Sequence, residues 1–223
     1  MLAKPTTERI SQYEAAENNT IRRFSLKNEV KRKSIHLAGL SVPAAILFLG
    51  RDATIVLVGL AFLIALFLER VRLHGKISMP SVREHERHRV AGYIYYILGA
   101  FLTVILFEPM IAVTAILLLS IGDAASGLIG SVVRGSKVRA DLIGGGRWSP
   151  KPPLVVAGTF LVCVLVGYLA SVVTGLALPV YLAGALGATL ADAIPISFRR
   201  RVLDDNFTIP LLSGSVMALA SMA

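Results

Sequence analysis

Charge is scarce in this chain of 223 residues: 17% are charged, where a soluble domain carries about a quarter. With 55% hydrophobic residues and a mean hydropathy of +0.69, that shortfall excludes a soluble enzyme and a disordered tail. Cysteine is nearly absent. Cys163 is alone and sits in an apolar run, which excludes an intrachain disulfide, a Cys-based zinc site and a secreted disulfide scaffold. The first 36 residues lack a short apolar core and a small-residue cleavage site, so no cleavable signal peptide is expected. No soluble second domain, low-complexity tract or internal repeat is evident.

What the chain does have is long apolar runs. Seven of them fall at about 37–50, 53–68, 90–107, 109–133, 153–174, 176–198 and 207–222. They are uniformly apolar rather than alternating, and lipid forces a backbone to satisfy its own hydrogen bonds, so each reads as a helix. If all seven cross a membrane, 22 of the 23 lysines and arginines fall on one face and only Arg51 on the other. The positive-inside rule then puts the N-terminus in the cytoplasm and the C-terminus outside. The expected fold is all-α: a polytopic integral membrane bundle of about seven transmembrane helices. A basic cytoplasmic or interfacial segment over 1–28 precedes a transmembrane domain over 29–223. Plasma membrane and endoplasmic reticulum share this sidedness. The excess of +9 charges points to anionic lipid at the basic loops rather than to nucleic acid.

Acids inside apolar runs are costly and mark function by default. Only Asp123 and Asp192 lie well inside such runs. Asp123, Ser126, Gly127 and Gly130 share one helical face. Close helix packing accounts for the glycines but not for the acid, which requires a cation, a proton or a water-filled cleft. Asp192 precedes Arg199 by seven residues, about 10 Å on a helix, and pairing with an arginine is its plain reading. Asp204-Asp205-Asn206 opens the last run with Pro210 behind it, a helix-start signal that equally suits a magnesium site or a general base.

Glu29, Arg32, Lys33 and His36 form a stripe ahead of the first run, either a snorkelling collar or a polar site. In 83–89 the two histidines are flanked by arginines, which favours anion contact or a solvated loop over zinc. Gly144–Gly146 ahead of Arg147 is a weak anion nest or a linker. Lys151-Pro152-Pro153 fixes a cation at a helix rim. Carboxylates, cations and glycines thus gather round one cytoplasmic opening of an apolar bundle, the residue types that phosphoryl transfer requires.

At these motifs the chain resembles the CTP-dependent lipid kinases (dolichol kinase, phytol kinase and the CTP-using diacylglycerol kinase) and, more distantly, the CDP-diacylglycerol synthases. The strongest likeness is Asp204-Asp205-Asn206-Phe207-Thr208-Ile209-Pro210-Leu211-Leu212-Ser213-Gly214. Gly122-Asp123-Ala124-Ala125, the stretch 29–36 and Gly92-Tyr93-Ile94-Tyr95-Tyr96 are also similar, over roughly 29–214 in all. It departs where Lys151 is followed by Pro152 rather than Ser, and at Asp192, where the family commonly has Glu.

The resemblance implies transfer of the terminal phosphate of CTP to a long-chain isoprenoid alcohol. Mg2+ would be held by Asp123 with Asp192, and Lys151, Arg147 and Arg32 would neutralise phosphate. Ser126, Gly127 and Asn206 would contact the nucleotide, Asp205 (or Asp204) would take the alcohol proton, and Glu29 and His36 would touch substrate. A diacylglycerol kinase, a cytidylyltransferase forming a CDP-lipid, and a transporter moving protons or cations on Asp123 and Asp192 stay open, as does the oligomeric state.

Overall fold

The computed structural model describes residues 36–75, 77, 86, 88–134, 150–198 and 201–223. Among these the architecture is helical, with one minimal β-hairpin. After a turn from His36, α1 spans Ser41–Leu49 and α2 Arg51–Leu73; α3 is Gly92–Leu106. Next comes α4, Pro109–Leu117, then a π-helical turn, Leu118–Gly122, and α5, Asp123–Arg134, the three forming one continuous rod. There follow α6 (Pro153–Thr174), α7 (Leu178–Ala193), the paired β1 (Ser197–Phe198) and β2 (Arg201–Val202), and α8 (Asp205–Ala220). Among the described residues three helices are long and apolar enough to cross a membrane: Arg51–Leu73, Pro109–Val133 and Pro153–Thr174.

Local chemistry sets the boundaries. Pro152 and Pro153 open α6, where missing N–H groups cost nothing, and Gly175 at φ 70° closes it. The apolar run over 176–198 does not stay helical throughout. Pro195 disfavours helix in the residue before it, so α7 stops at Ala193 and the chain turns into the hairpin. Asp192 therefore stands in the last turn of α7, not buried a further turn below a basic rim.

Helix α8 is the axis of the bundle, packed on α7, α3 and α4. Glycine makes the approach possible. A Cβ at Gly99 would come within 2.7 Å of the Asn206 carbonyl oxygen, and one at Gly187 within 3.1 Å of Ser213 Cα, the small-residue packing that brings helix backbones together in lipid. Leu118, Leu119, Ile209 and Met217 fill the centre. Helix α2 is peripheral: only 22% of its most apolar window is buried, and Phe67 and Leu63 face outward. So much outward apolar surface suits contact with lipid.

The buried stripe of α2 (Thr54, Val58, Ala65, Glu69 and Arg72) ends in a charge pair. Arg72 Nε and Nη2 donate to the two carboxylate oxygens of Glu69, each at 2.7 Å, and Nη2 also donates to the Arg89 carbonyl at 2.6 Å. Glu69 accepts in addition from Ala91 N (2.8 Å) and Tyr93 OH (2.7 Å). The contacts with Arg89, Ala91 and Tyr93 tie the end of α2 to the start of α3. Read as a member of a basic loop, Arg72 is in fact a buried brace.

Arg51, the one basic residue placed on the opposite face by the sequence, also has a structural task. Its Nε donates to the Val104 carbonyl at 3.0 Å and its Nη2 to that of Ile105, closing carbonyls that the end of α3 leaves open. Arg51→Leu is expected to lower the unfolding free energy in detergent by about 1.5–3 kcal/mol, the worth of hydrogen bonds from a charged donor. An unchanged denaturation midpoint would show that solvent replaces them.

Candidate functional site

The π turn delivers the first acid. Asp123 follows it directly and is 3% exposed. Around it stands a small polar shell. His36 Nδ1 lies 3.1 Å from Asp123 Oδ2, within ion-pair reach but outside hydrogen-bond alignment. The Tyr96 ring meets the His36 ring edge-on at 5.1 Å. Tyr96 OH donates to the His36 carbonyl at 3.3 Å and lies 2.5 Å from Ser120 Oγ, itself part of the π turn.

The second acid comes from α7. Asp192 accepts from Ser126 Oγ at 2.6 Å and from Lys151 Nζ at 2.5 Å, and Lys151 Nζ also donates to Ser126 Oγ at 2.9 Å. The Lys151 backbone N–H donates to the Ala193 carbonyl at 3.2 Å, which fixes the start of α6 against the end of α7. Asp192 thus pairs with Lys151; the side chains of the arginines at 199–201 lie outside the described residues. Its carboxylate is 2% exposed and the lysine 26%, so the ammonium keeps one side toward solvent.

The third acid opens α8. Asp204 is the N-cap: its Oδ1 accepts from Asn206 N at 3.0 Å, as does Asp205 Oδ1. Adjacent acids so divide. Asp204 closes the helix end, while Asp205 joins Asp123 and Asp192 in a cluster whose ligand oxygens all lie within 4.8 Å of one another. Asn206 is 2% exposed; its Nδ2 reaches the Gly92 carbonyl at 3.5 Å, and its Oδ1 has no partner among the described residues.

Three carboxylates this close repel. At 4.8 Å a pair of unit charges costs about 3–4 kcal/mol at an effective dielectric of 20. Lys151 offsets one of the three charges. The all-oxygen donor set suits a hard ion such as Mg2+, which commonly takes one or two carboxylates and completes its shell with water and phosphate. The donor set therefore fits a magnesium ion.

Beside the cluster lies a groove of about 560 Å3 between α1, α2 and α3. Its walls are apolar, among them Val42, Ala45, Val58, Ala61 and Ile97. Its polar lining comes mainly from His36, Glu86, Tyr93, Tyr96 and Asn206. Through His36 it touches Asp123. Glu86, read as part of a solvated loop, is buried and accepts from Gly92 N at 3.3 Å.

Of the residues singled out in the sequence, the fold brings Asp123, Ser126, Lys151, Asp192, Asp204, Asp205, Asn206 and His36 to one end of the bundle. Gly127 is on the same helix as Ser126, half-buried. At Gly130 a Cβ would meet open space, so tight packing is not what selects glycine there. Glu29, Arg32, Arg147 and the segment 1–28 lie outside the described residues. Sequence reasoning missed the roles of Ser120 and Glu86, for which no local pattern exists, and saw Tyr96 only within a resembling stretch.

No protein-family model matches the chain, and no solved structure does. It is 26% identical over 194 residues to the uncharacterized protein RP860 of Rickettsia prowazekii, covering 82% of this chain and 90% of that protein. The likeness thus extends through about four-fifths of this chain.

Proposed function

We propose that the protein is a membrane-embedded kinase that moves the terminal phosphate of CTP to a long-chain isoprenoid alcohol. The observation that carries this reading is the meeting of three clustered carboxylates with the end of an apolar groove through a single side chain, His36. In the same reading the seven rods each cross the bilayer, with the acidic cluster toward the cytoplasm. The one-sided lysines and arginines of the sequence support that orientation.

Asp123, Asp192 and Asp205 would hold Mg2+, which supplies charge neutralisation on the nucleotide phosphates when bound. The remaining roles belong to the chain. Lys151, kept near solvent by its contact with Asp192, is placed to move to an incoming phosphate. The alcohol oxygen forms a bond to the terminal phosphorus as the bond to CDP breaks, and its proton passes to a carboxylate at the start of α8, Asp205 or the neighbouring Asp204. The apolar walls keep water, the competing nucleophile, away from the acceptor.

The test is direct. Purified protein incubated with CTP labelled at the terminal phosphate, Mg2+ and a panel of lipid alcohols is expected to yield labelled lipid monophosphate and CDP. A CDP-lipid with pyrophosphate from a lipid-phosphate acceptor would replace this reading with a cytidylyltransferase. Cation flux in liposomes with no nucleotide turnover would replace it with a transporter.

A further inference from the structure

The polar shell of Asp123 carries an inference that rests on the magnesium part of the kinase reading. We propose that Tyr96 is a positioning residue for the cation: it holds no ion itself, but its hydroxyl latches His36 against Asp123 and so fixes how that carboxylate meets Mg2+. Three separate stretches of chain meet at this hydroxyl. It donates to the His36 carbonyl at 3.3 Å, in the turn ahead of α1. It also lies 2.5 Å from Ser120 Oγ, in the π turn that leads directly into Asp123. Tyr96 itself belongs to α3. Its ring meets the His36 ring edge-on at 5.1 Å, and His36 Nδ1 stands 3.1 Å from Asp123 Oδ2.

The chain makes room for this contact. A Cβ at Gly39 would come within 1.7 Å of Tyr96 Oη and 2.4 Å of its Cζ, so any larger residue there would expel the tyrosine. Gly39 is not among the glycines with positive φ, so close approach and not backbone conformation accounts for it. Its N–H donates to the His36 carbonyl at 3.0 Å, and that one oxygen therefore takes both Gly39 and Tyr96. Tyr96, Ser120, His36 and Asp123 are all buried. A packing role would need only the ring, which phenylalanine also supplies. The hydroxyl adds something else, a tie between the segment that carries His36 and the one that carries Asp123. Groups that orient a metal ligand from behind set its affinity, and losing one typically costs about 10–100-fold in metal binding.

Mn2+, a paramagnetic substitute for Mg2+, tests this without turnover, because its free signal in an electron paramagnetic resonance titration falls as it binds. Asp123→Asn is expected to weaken that binding, which places the ion at the cluster. Tyr96→Phe is expected to weaken it by about tenfold or more. Ser120→Ala, which keeps the tyrosine whole, is expected to weaken it by a smaller factor. Arg51→Leu, altered at the other end of α3, is expected to bind Mn2+ within about twofold of the unaltered protein, as distant sites act independently. Thermal melting in detergent establishes that each variant is folded. In the kinase assay Tyr96→Phe is expected to need more Mg2+ by the same factor, with KM for the alcohol nearly unchanged. Unaltered Mn2+ affinity in folded Tyr96→Phe and Ser120→Ala, or an equal loss in Arg51→Leu, overturns the latch and leaves the kinase reading standing. Weakened binding in Tyr96→Phe beside no phosphate transfer by the unaltered protein supports the latch and overturns the kinase reading instead. Binding that Asp123→Asn leaves intact overturns the latch and the magnesium assignment together.

Discussion

Asp123→Asn is expected to reduce lipid phosphorylation by about a thousandfold, on the scale of losing a preorganised electrostatic group, while leaving the protein at least as stable as before. The two halves of that outcome have one cause. Asp123 is one of three carboxylates within 4.8 Å, so replacing it with a neutral side chain of the same shape removes repulsion of several kcal/mol at close range. It also removes one of the oxygens that would hold the cation. Activity and stability therefore move in opposite directions, as ordinary core damage never makes them do. Asp205→Asn is expected to behave in the same way. Asp204→Asn keeps a good N-cap and is expected to keep most of its folding stability, so its activity tells which of the two neighbours takes the proton. Turnover assays beside thermal unfolding in detergent decide it. Normal turnover in both Asp123→Asn and Asp205→Asn would remove the assigned roles.

The second large effect is expected at Lys151. In Lys151→Met the Asp192 carboxylate, 2% exposed, loses its cation and keeps one hydrogen bond from Ser126. Breaking one side of a buried pair costs about 3–5 kcal/mol, so the variant is expected to unfold at a markedly lower midpoint. Millimolar Mg2+ is expected to raise that midpoint more in the variant than in the unaltered protein, because the ion then no longer competes with the Lys151 ammonium for the Asp192 carboxylate. Adding Asp192→Asn should recover most of the loss, a coupling that a double-mutant cycle isolates. Equal Mg2+ shifts in both proteins would mean that the ion does not bind at this cluster.

The helical layout was largely legible, because in a chain this apolar the punctuation is sharp. Pro153 and Gly175 bound α6 in sequence and in space alike. Asp204-Asp205-Asn206 announced α8, though not that one acid would cap the helix and the other turn into the cluster. The face carrying Asp123 and Ser126 followed from helical spacing alone. Partnership across the fold did not. Lys151 and Asp192 are 41 residues apart and Tyr96 and Ser120 are 24 apart. No periodicity joins such pairs until the helices pack. Arg72 misled for a related reason: in sequence it continues a basic loop, and only the last turn of α2 carries it inward to Glu69. The apolar groove belongs to the same category, since its walls include alanines and valines that look like any others until three helices leave a gap between them.

Between Pro109 and Asp123 the rod widens for the five residues 118–122. A π turn takes up about one extra residue in the same winding, so if all five were wound as regular α-helix instead, Asp123 would lie nearly one residue step, about 100°, further round the axis and away from His36. The widened turn acts as a rotational shim. The bearing of this acid is stored in the way the five residues before it are wound.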